Sequence, residues 1–306
     1  MRMKVFTLLA VLAVGLLSVG TARADVFTTA VTNNAAYGGG PIQTWVLNLT
    51  MGTAVSGGSF VPTGAMVGSA NGRAIAVTNT QFYYTELSGG FGATPSIESG
   101  LFNGGAGSAD NGSVANPTPG LGIQNLHFGG GGLYAVAGYP TSGPFVYVFN
   151  PNTGAIISGP PVALETDPGT DGFTIMNNGN YLLNRGDAYN SYDQYDPLTG
   201  ARIAGTNFSV AGCGNATGVD TDGTFLFFNC NFNQIAQTDL TGSVVNIFTL
   251  PGTFGAAEGL SLISDFSPPP PPPAGVPEPA SIALLGTVVA LVGLKMRNKT
   301  APPSQT

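Results

Sequence analysis

One kind of turn returns five times along the 306-residue chain, and it sets most of what the chain can become. The copies are Asn48-Leu49-Thr50-Met51-Gly52, Glu86-Leu87-Ser88-Gly89, Asn150-Pro151-Asn152-Thr153-Gly154, Asp196-Pro197-Leu198-Thr199-Gly200 and Asp239-Leu240-Thr241-Gly242. Asn or Asp caps such a turn with its side chain, Pro presets φ, and Gly takes the left-handed backbone region. The closing glycines stand 37, 65, 46 and 42 residues apart. Alternating runs flank the turns, such as Phe145-Val146-Tyr147-Val148-Phe149 before one and Val244-Val245-Asn246-Ile247-Phe248 after another. Period-2 alternation bounded by turn residues reads as β-strand.

Upstream of each turn lies a second strand opened by Gly, at 73–77, 133–136, 180–183 and 224–228. A third and shorter one precedes it, at 123–128, 172–176, 217–220 and 259–263. Four strands per unit with a period near 45 is what a propeller blade needs. With 46 glycines, 23 prolines and 8% charged residues, the chain has no stretch that reads as a long amphipathic helix. The expected fold class is all-β: a β-propeller of about five four-stranded blades, with a C-terminal transmembrane sorting helix added. The N-terminal segment 26–60 lacks an innermost strand, and 258–263 reads as an innermost strand with only a linker after it. Joining the two would close the ring and remove its exposed edges. A sixth blade has room only in the Gly-rich insert 90–120, whose composition reads instead as a long surface loop. A β-sandwich or β-solenoid is the alternative architecture. The repeats resemble those of the NHL and quinoprotein-like propeller groups, with which they share the Asp-x-x-Thr-Gly turn. That resemblance implies a fold and no activity.

The two ends carry addresses rather than fold. Arg2 and Lys4 precede an apolar run from Val5 to Val19, and Ala22-Arg23-Ala24 offers signal peptidase its small-x-small site. Residues 1–24 therefore read as a signal peptide cut between Ala24 and Asp25, and 25–266 as the exported body. Prolines 268–273 make a stiff spacer within the linker 267–275. Val276-Pro277-Glu278-Pro279-Ala280-Ser281 comes next, then the apolar stretch 282–294 and the basic Lys295, Arg297 and Lys299. The apolar stretch suits a short membrane helix, and the basic residues behind it would stay cytoplasmic. This order, 276–299 with a tail at 300–306, resembles the PEP-CTERM sorting signal of Gram-negative bacteria. The resemblance implies recognition of Pro277, Glu278 and Pro279 by an exosortase-type transpeptidase and removal of the tail beyond them. The basic cluster departs from the usual arginine run. The same tail also goes by the name of an ice-binding C-terminal domain, which concerns the tail alone; the body has no regular Thr/Asn array for binding ice.

Between Asp25 and Gly275 stand 15 acidic residues against three arginines (Arg73, Arg185 and Arg202), a net charge of −12 without one lysine. Nucleic acid is excluded as a partner, because its phosphates need clustered cations. Cys213 and Cys230 lie in the exported body, where a disulfide forms readily. Two free thiols are the alternative, and a metal site is unsupported by a chain with one His and no Cys-x-x-Cys.

Candidate chemistry is sparse. His127 is the only histidine, and no Gly-x-Ser-x-Gly elbow occurs. Asp167, Asp171, Asp220, Asp222 and Glu258 lie near the starts of innermost strands, where a ring could gather them around Ca²⁺. Thr-Asp-Gly at 170–172 and 221–223 is also ordinary turn chemistry. The loop 184–193 mixes aromatic, amide and charged groups, so Arg185, Asp187, Tyr189 and Tyr192 are the candidate ligand-binding residues. The expected function is a non-enzymatic binding or structural role at the cell surface or in the matrix, with exopolysaccharide or a surface protein as partner and no cofactor. The alternative is a propeller-type hydrolase, lactonase or lyase with carboxylate-bound calcium.

Overall fold

Strands of two to eleven residues are joined by turns, and among the described residues there is no helix. The computed structural model describes residues 26–35, 38–60, 70–88, 94, 96–102, 110–116, 120–129, 131–139, 143–157, 161–165, 170–185, 188–251 and 256–263. All of these fall in one unit, Met1–Phe266; a second unit, Ser267–Thr306, contains none of them. The expected signal peptide, linker, sorting motif and apolar tail helix thus lie outside the described residues.

Twenty strands form five four-stranded antiparallel sheets. The first holds β1 (Val26–Ala35), β2 (Gly38–Asn48) and β3 (Thr53–Phe60). The second holds β4 (Ala70–Val77), β5 (Gln81–Ser88), β6 (Ser96–Leu101) and β7 (Asp110–Ala115). The third holds β8 (Gly122–Gly129), β9 (Gly132–Tyr139), β10 (Phe145–Phe149) and β11 (Val162–Ala163). The fourth holds β12 (Phe173–Ile175), β13 (Tyr181–Arg185), β14 (Ala188–Tyr195) and β15 (Phe208–Ser209). The fifth holds β16 (Ala216–Thr221), β17 (Leu226–Cys230), β18 (Gln234–Thr238) and β19 (Val244–Thr249). The last strand, β20 (Ala256–Leu262), returns to the first sheet in the order β20-β1-β2-β3.

The lead strands of the sheets touch in a cycle: β4 against β8, β8 against β12, β12 against β16, β16 against β20, and β20 against β4. A cycle of this kind is a β-propeller, closed by pairing the chain's two ends within one sheet. Thr29 faces Leu262 and Val31 faces Leu260 in that pairing.

Each sheet is buried on both faces, so neighbouring residues of one strand enter different cores. On β5, Tyr83 packs toward the third sheet with Ile97 and Phe149, while Phe82 and Tyr84 pack toward the first with Ile42. On β17, Leu226 and Phe228 join Tyr192, whereas Phe227 joins Trp45 and Phe248. Phe173, Tyr181 and Tyr195 fill the space between the third and fourth sheets. The five clusters fill the five sheet-to-sheet interfaces. Cys213 and Cys230 are bonded to each other, with Cα atoms 5.2 Å apart, in the core beside Tyr192.

Two expectations need correction. The insert expected to be a surface loop supplies β6 and β7, the outer pair of the second sheet. Ile97, Glu98 and Gly100 are buried and pair with Thr85, Tyr84 and Phe82 of β5, so glycine content concealed ordinary strands. Residues 73–77 are also an innermost strand, not a second one. Glu86-Leu87-Ser88-Gly89 ends a second strand, whereas the other four turns come after a third strand. Grouping it with them shifted that unit by one strand and produced the uneven 37 and 65 spacing.

Candidate functional site

The axis of the ring is built from one short pattern, a variable residue followed by a small one and an apolar one. In four strands or strand leads it reads Arg73-Ala74-Ile75, Asp171-Gly172-Phe173, Thr217-Gly218-Val219 and Glu258-Gly259-Leu260; in β8 it reads Gln124-Asn125-Leu126. The pairing register slips at the same level in four innermost strands: between Gly72 and Ala74, Ile123 and Asn125, Thr217 and Val219, and opposite Val31 and Asn33 of β1. A bulge bends its strand and re-aims the residue it carries. Here it sends Arg73 and Glu258 toward their partners across the ring.

Arg73 is 8% exposed and donates through Nη1 to Glu258 Oε2 at 3.0 Å and through Nη2 to Asp171 Oδ1. One guanidinium thereby joins the second, fourth and first sheets. Burial raises the Asp171 carboxyl above its ordinary value, and the positive charge of Arg73 opposes that rise. Burial, followed by the Asp171 charge, pushes the Tyr192 phenol well up. Hydrogen bonds to backbone carbonyls lock the same level: Gly218 N donates to Asp171 O at 2.5 Å, Asn229 Nδ2 to Glu258 O at 3.1 Å, and Asn125 Nδ2 to Thr170 O at 2.9 Å.

Beneath the pattern's variable level the axis narrows to a cavity of about 10 Å³, lined by Ile75, Leu126, Phe173, Val219 and Leu260. That is room for about one water. At the far end Asp220 is fully engaged, with Thr174 Oγ1 donating to Oδ1 at 3.1 Å, Thr221 N to Oδ1 at 2.9 Å and Leu262 N to Oδ2 at 2.7 Å. His127 Nδ1 lies 3.4 Å from both Asp220 Oδ1 and Thr174 Oγ1, and the ring edges onto Phe173.

The carboxylates expected to gather at one face are therefore divided. Asp171 and Glu258 meet at Arg73, Asp220 sits at the other end of the axis, and Asp222 holds its own turn by accepting from Thr224 N and Phe225 N at 2.7 Å. Asp167 lies outside the described residues. Among the described residues no three His, Cys, Asp or Glu side chains converge as metal ligands do.

The expected ligand loop is divided as well. Tyr192 is a core residue at 0% exposure; its hydroxyl donates to Ala216 O at 2.9 Å, and its ring stacks on Phe208 and meets Phe228 edge-on. Alternation along β14 turns it into the interface with the fifth sheet. Arg185 is half-buried at the end of β13, whereas Asp187 and the side chain of Tyr189 lie outside the described residues. Arg73 was absent from the sequence-based candidates, although its pattern was available: aligned on the small-apolar pair, it falls in line with Asp171 and Glu258.

No family model matches the chain, and no curated protein matches it. Among solved structures it is similar to a protein of unknown function from Bacteroides caccae, at 11% identity over 78% of this chain and 99% of that one, with a TM-score of 0.49. The WD40 β-propeller domain of Doa1 matches at 12% identity over 76% and 71%, TM-score 0.36. A suspected 6-phosphogluconolactonase from Bacteroides fragilis matches at 14% identity over 76% and 70%, TM-score 0.36. At TM-scores below 0.5 these add nothing to what the strand order itself shows.

Proposed function

We propose that this chain is an exported, non-enzymatic binding or structural module, held at a bacterial outer surface or in an exopolysaccharide matrix. The observation that carries this reading is the closed axis. A ligand pocket for a small molecule occupies roughly 300–1,000 Å³, and the cavity that the described residues enclose along the axis is about 10 Å³. Among the described residues, the carboxylates that the calcium-hydrolase alternative would use are engaged, Asp171 and Glu258 by Arg73, Asp220 by Thr174, Thr221 and Leu262, and Asp222 by Thr224 and Phe225. That leaves the loops and rim to meet a partner, on a lysine-free body of net charge −12.

Export and sorting are read from the terminal segments, with signal peptidase acting at Ala24 and Asp25 and an exosortase-type enzyme acting at Pro277–Pro279. The membrane is engaged through the apolar stretch 282–294 before that step.

The test is co-sedimentation of the full-length chain with the producing organism's own exopolysaccharide, with Ca²⁺ and with chelator. Saturable binding indifferent to chelator supports the module. Absence of binding overturns the polysaccharide role, and loss in chelator favours the calcium alternative. Mass spectrometry of the mature protein reads the two processing sites, and intact termini on a cytoplasmic protein would overturn the sorting.

A further inference from the structure

Asn231 and Phe232, in the turn between β17 and β18, have φ of +49° and +67°. These are the non-glycine residues with positive φ among the described ones. Asn tolerates this region through its short polar side chain, but a bulky residue there is strained, and strain persists only where the surroundings hold it. Phe232 is also 49% exposed, the only aromatic among the exposed large hydrophobic side chains of the described residues. The fold thus spends free energy to hold an aromatic ring in water.

The surroundings that hold it can be named. Asn231 Oδ1 accepts from Gly214 N at 2.8 Å, and Asn231 Nδ2 donates to Gly212 O at 2.9 Å and to Gln234 Oε1 at 3.2 Å. Asn231 N donates to Asn215 O at 2.9 Å, and Phe232 O accepts from Ala257 N at 3.2 Å. The disulfide ties Cys213 of the facing loop to Cys230, next to the turn. Asn190, from the loop expected to contact ligand, reaches the same place by donating to Cys213 O at 3.2 Å. The Phe232 ring therefore stands on a platform fixed from three directions.

The corner is uncharged. The residues that these bonds bring together, Asn190, 212–215, 230–234 and Ala257, include no Asp, Glu, Lys or Arg, in a body of net charge −12. The nearest acids along the chain, Asp239 and Asp222, are each tied into their own turns, and Glu258, next to Ala257, is turned to Arg73. What the corner offers is amides: Asn231 and Gln234, bonded to each other at 3.2 Å, stand on either side of Phe232 in the chain, and Asn215 accepts the Asn231 N–H on its backbone oxygen.

We propose that the corner around Phe232 is a binding site for a neutral glycan, with a sugar ring stacking on Phe232. This rests on the reading of the body as a polysaccharide-binding module. A sugar presents an apolar C–H face with weakly positive hydrogens, which suits the negative face of an aromatic ring. Its hydroxyls both donate and accept, as amides do. Ionic partners find nothing to pair with here, and a protein interface would need further apolar anchors around the ring. The exposed Met51, Leu198 and Leu240 belong to other turns, those that come after a third strand, and the exposed aliphatic side chain shown near this corner is Ile247, whose Cδ1 stands 3.6 Å from the Cβ position of Gly212.

The test is pull-down of the full-length chain on cellulose, galactomannan and dextran, with alginate as the polyanionic comparison. Phe232→Ala, Phe232→Gly and Phe232→Trp are run beside wild type. Expected are binding to at least one neutral polymer and not to alginate, at least tenfold weaker binding for Phe232→Ala and Phe232→Gly, and retention for Phe232→Trp. Glycine adopts φ +67° without strain, so Phe232→Gly raises the melting midpoint while losing the glycan, which no merely structural role predicts. Wild-type affinity in Phe232→Gly overturns the site and leaves the module reading standing. A wild type that binds neither these polymers nor the organism's own exopolysaccharide overturns the module reading. Phe232-dependent self-association in place of glycan binding overturns the site in favour of a protein interface.

Discussion

Arg73 and Glu258 are 185 residues apart in the chain and 3.0 Å apart in the fold, Nη1 to Oε2. Arg73 lies on β4 and Glu258 on β20, the strand that closes the ring, so this ion pair crosses the seam between the second sheet and the first, next to the pairing of β20 with β1. Val77 N donating to Ser261 Oγ at 3.0 Å supports the same seam. Closure thus has an electrostatic component added to the apolar packing of Ile42, Val77 and Ile263.

Removing the cation while leaving both carboxylates buried costs more than the pair itself is worth. Arg73→Met is expected to destabilise by about 3–5 kcal/mol, because Asp171 and Glu258 lose their counter-charge in a dry site. Adding Asp171→Asn and Glu258→Met to it is expected to restore most of that loss. Urea unfolding of the single and triple variants checks this, and a triple variant no more stable than Arg73→Met alone would refute it.

Gly218 has φ +34°, and a Cβ added there would stand 2.5 Å from Glu258 O and 2.7 Å from Leu260 N. Both neighbours are backbone of β20 and cannot swing aside. Gly218→Ala should therefore cost about 3 kcal/mol, combining overpacking with an unfavourable φ. A shift in urea midpoint at unchanged slope is the expected signature.

Tyr192→Phe tests the placement of this residue in the core. Loss of its buried hydrogen bond to Ala216 O should cost about 1 kcal/mol, seen as a lower melting temperature. Polysaccharide binding should stay as in wild type, and a selective loss of binding would contradict the placement.

Acid stability should depend on the turn at 239–243. Asp239 Oδ1 accepts from the Thr241 hydroxyl at 2.7 Å and from Ser243 N and Thr241 N at 2.9 Å. Those bonds, the Thr241 hydroxyl first, lower the carboxyl below its ordinary value of 3.8. The unfolded chain then binds more protons than the folded one, so this contribution is present above pH about 3.8 and fades as pH falls through the lower, folded value. Asp239→Asn should flatten the stability profile below pH about 4 and leave its slope at neutral pH unchanged.

Much of the fold is legible in residues that act locally. Pro197 and Gly200 make a turn wherever they stand, and Phe145 to Phe149 alternate as a strand does. The innermost strands at 123–128, 172–176, 217–220 and 259–263 come from the same reasoning and correspond to β8, β12, β16 and β20. The outer strands β6 and β7 escape it because Gly100, Gly104, Gly105 and Gly107 resemble loop composition, and pairing against β5 is a tertiary event. The site was less legible. Tyr192 resembles a sugar-stacking residue in sequence and is interior, while Phe232 resembles an interior residue and stands in water.

By itself, then, the sequence determined the turns, the strand periodicity, the four-strand unit and the charge of the body, because each depends on side chains within a few residues of one another. It also set out the terminal addresses in linear order. The tertiary structure alone decided which strand of each unit lines the axis, which carboxylates meet Arg73 and which aromatic faces solvent. Those depend on register slips and on contacts between residues as far apart as Arg73 and Glu258. A bulge one residue long turns a side chain from one face to another, and no local pattern carries that information.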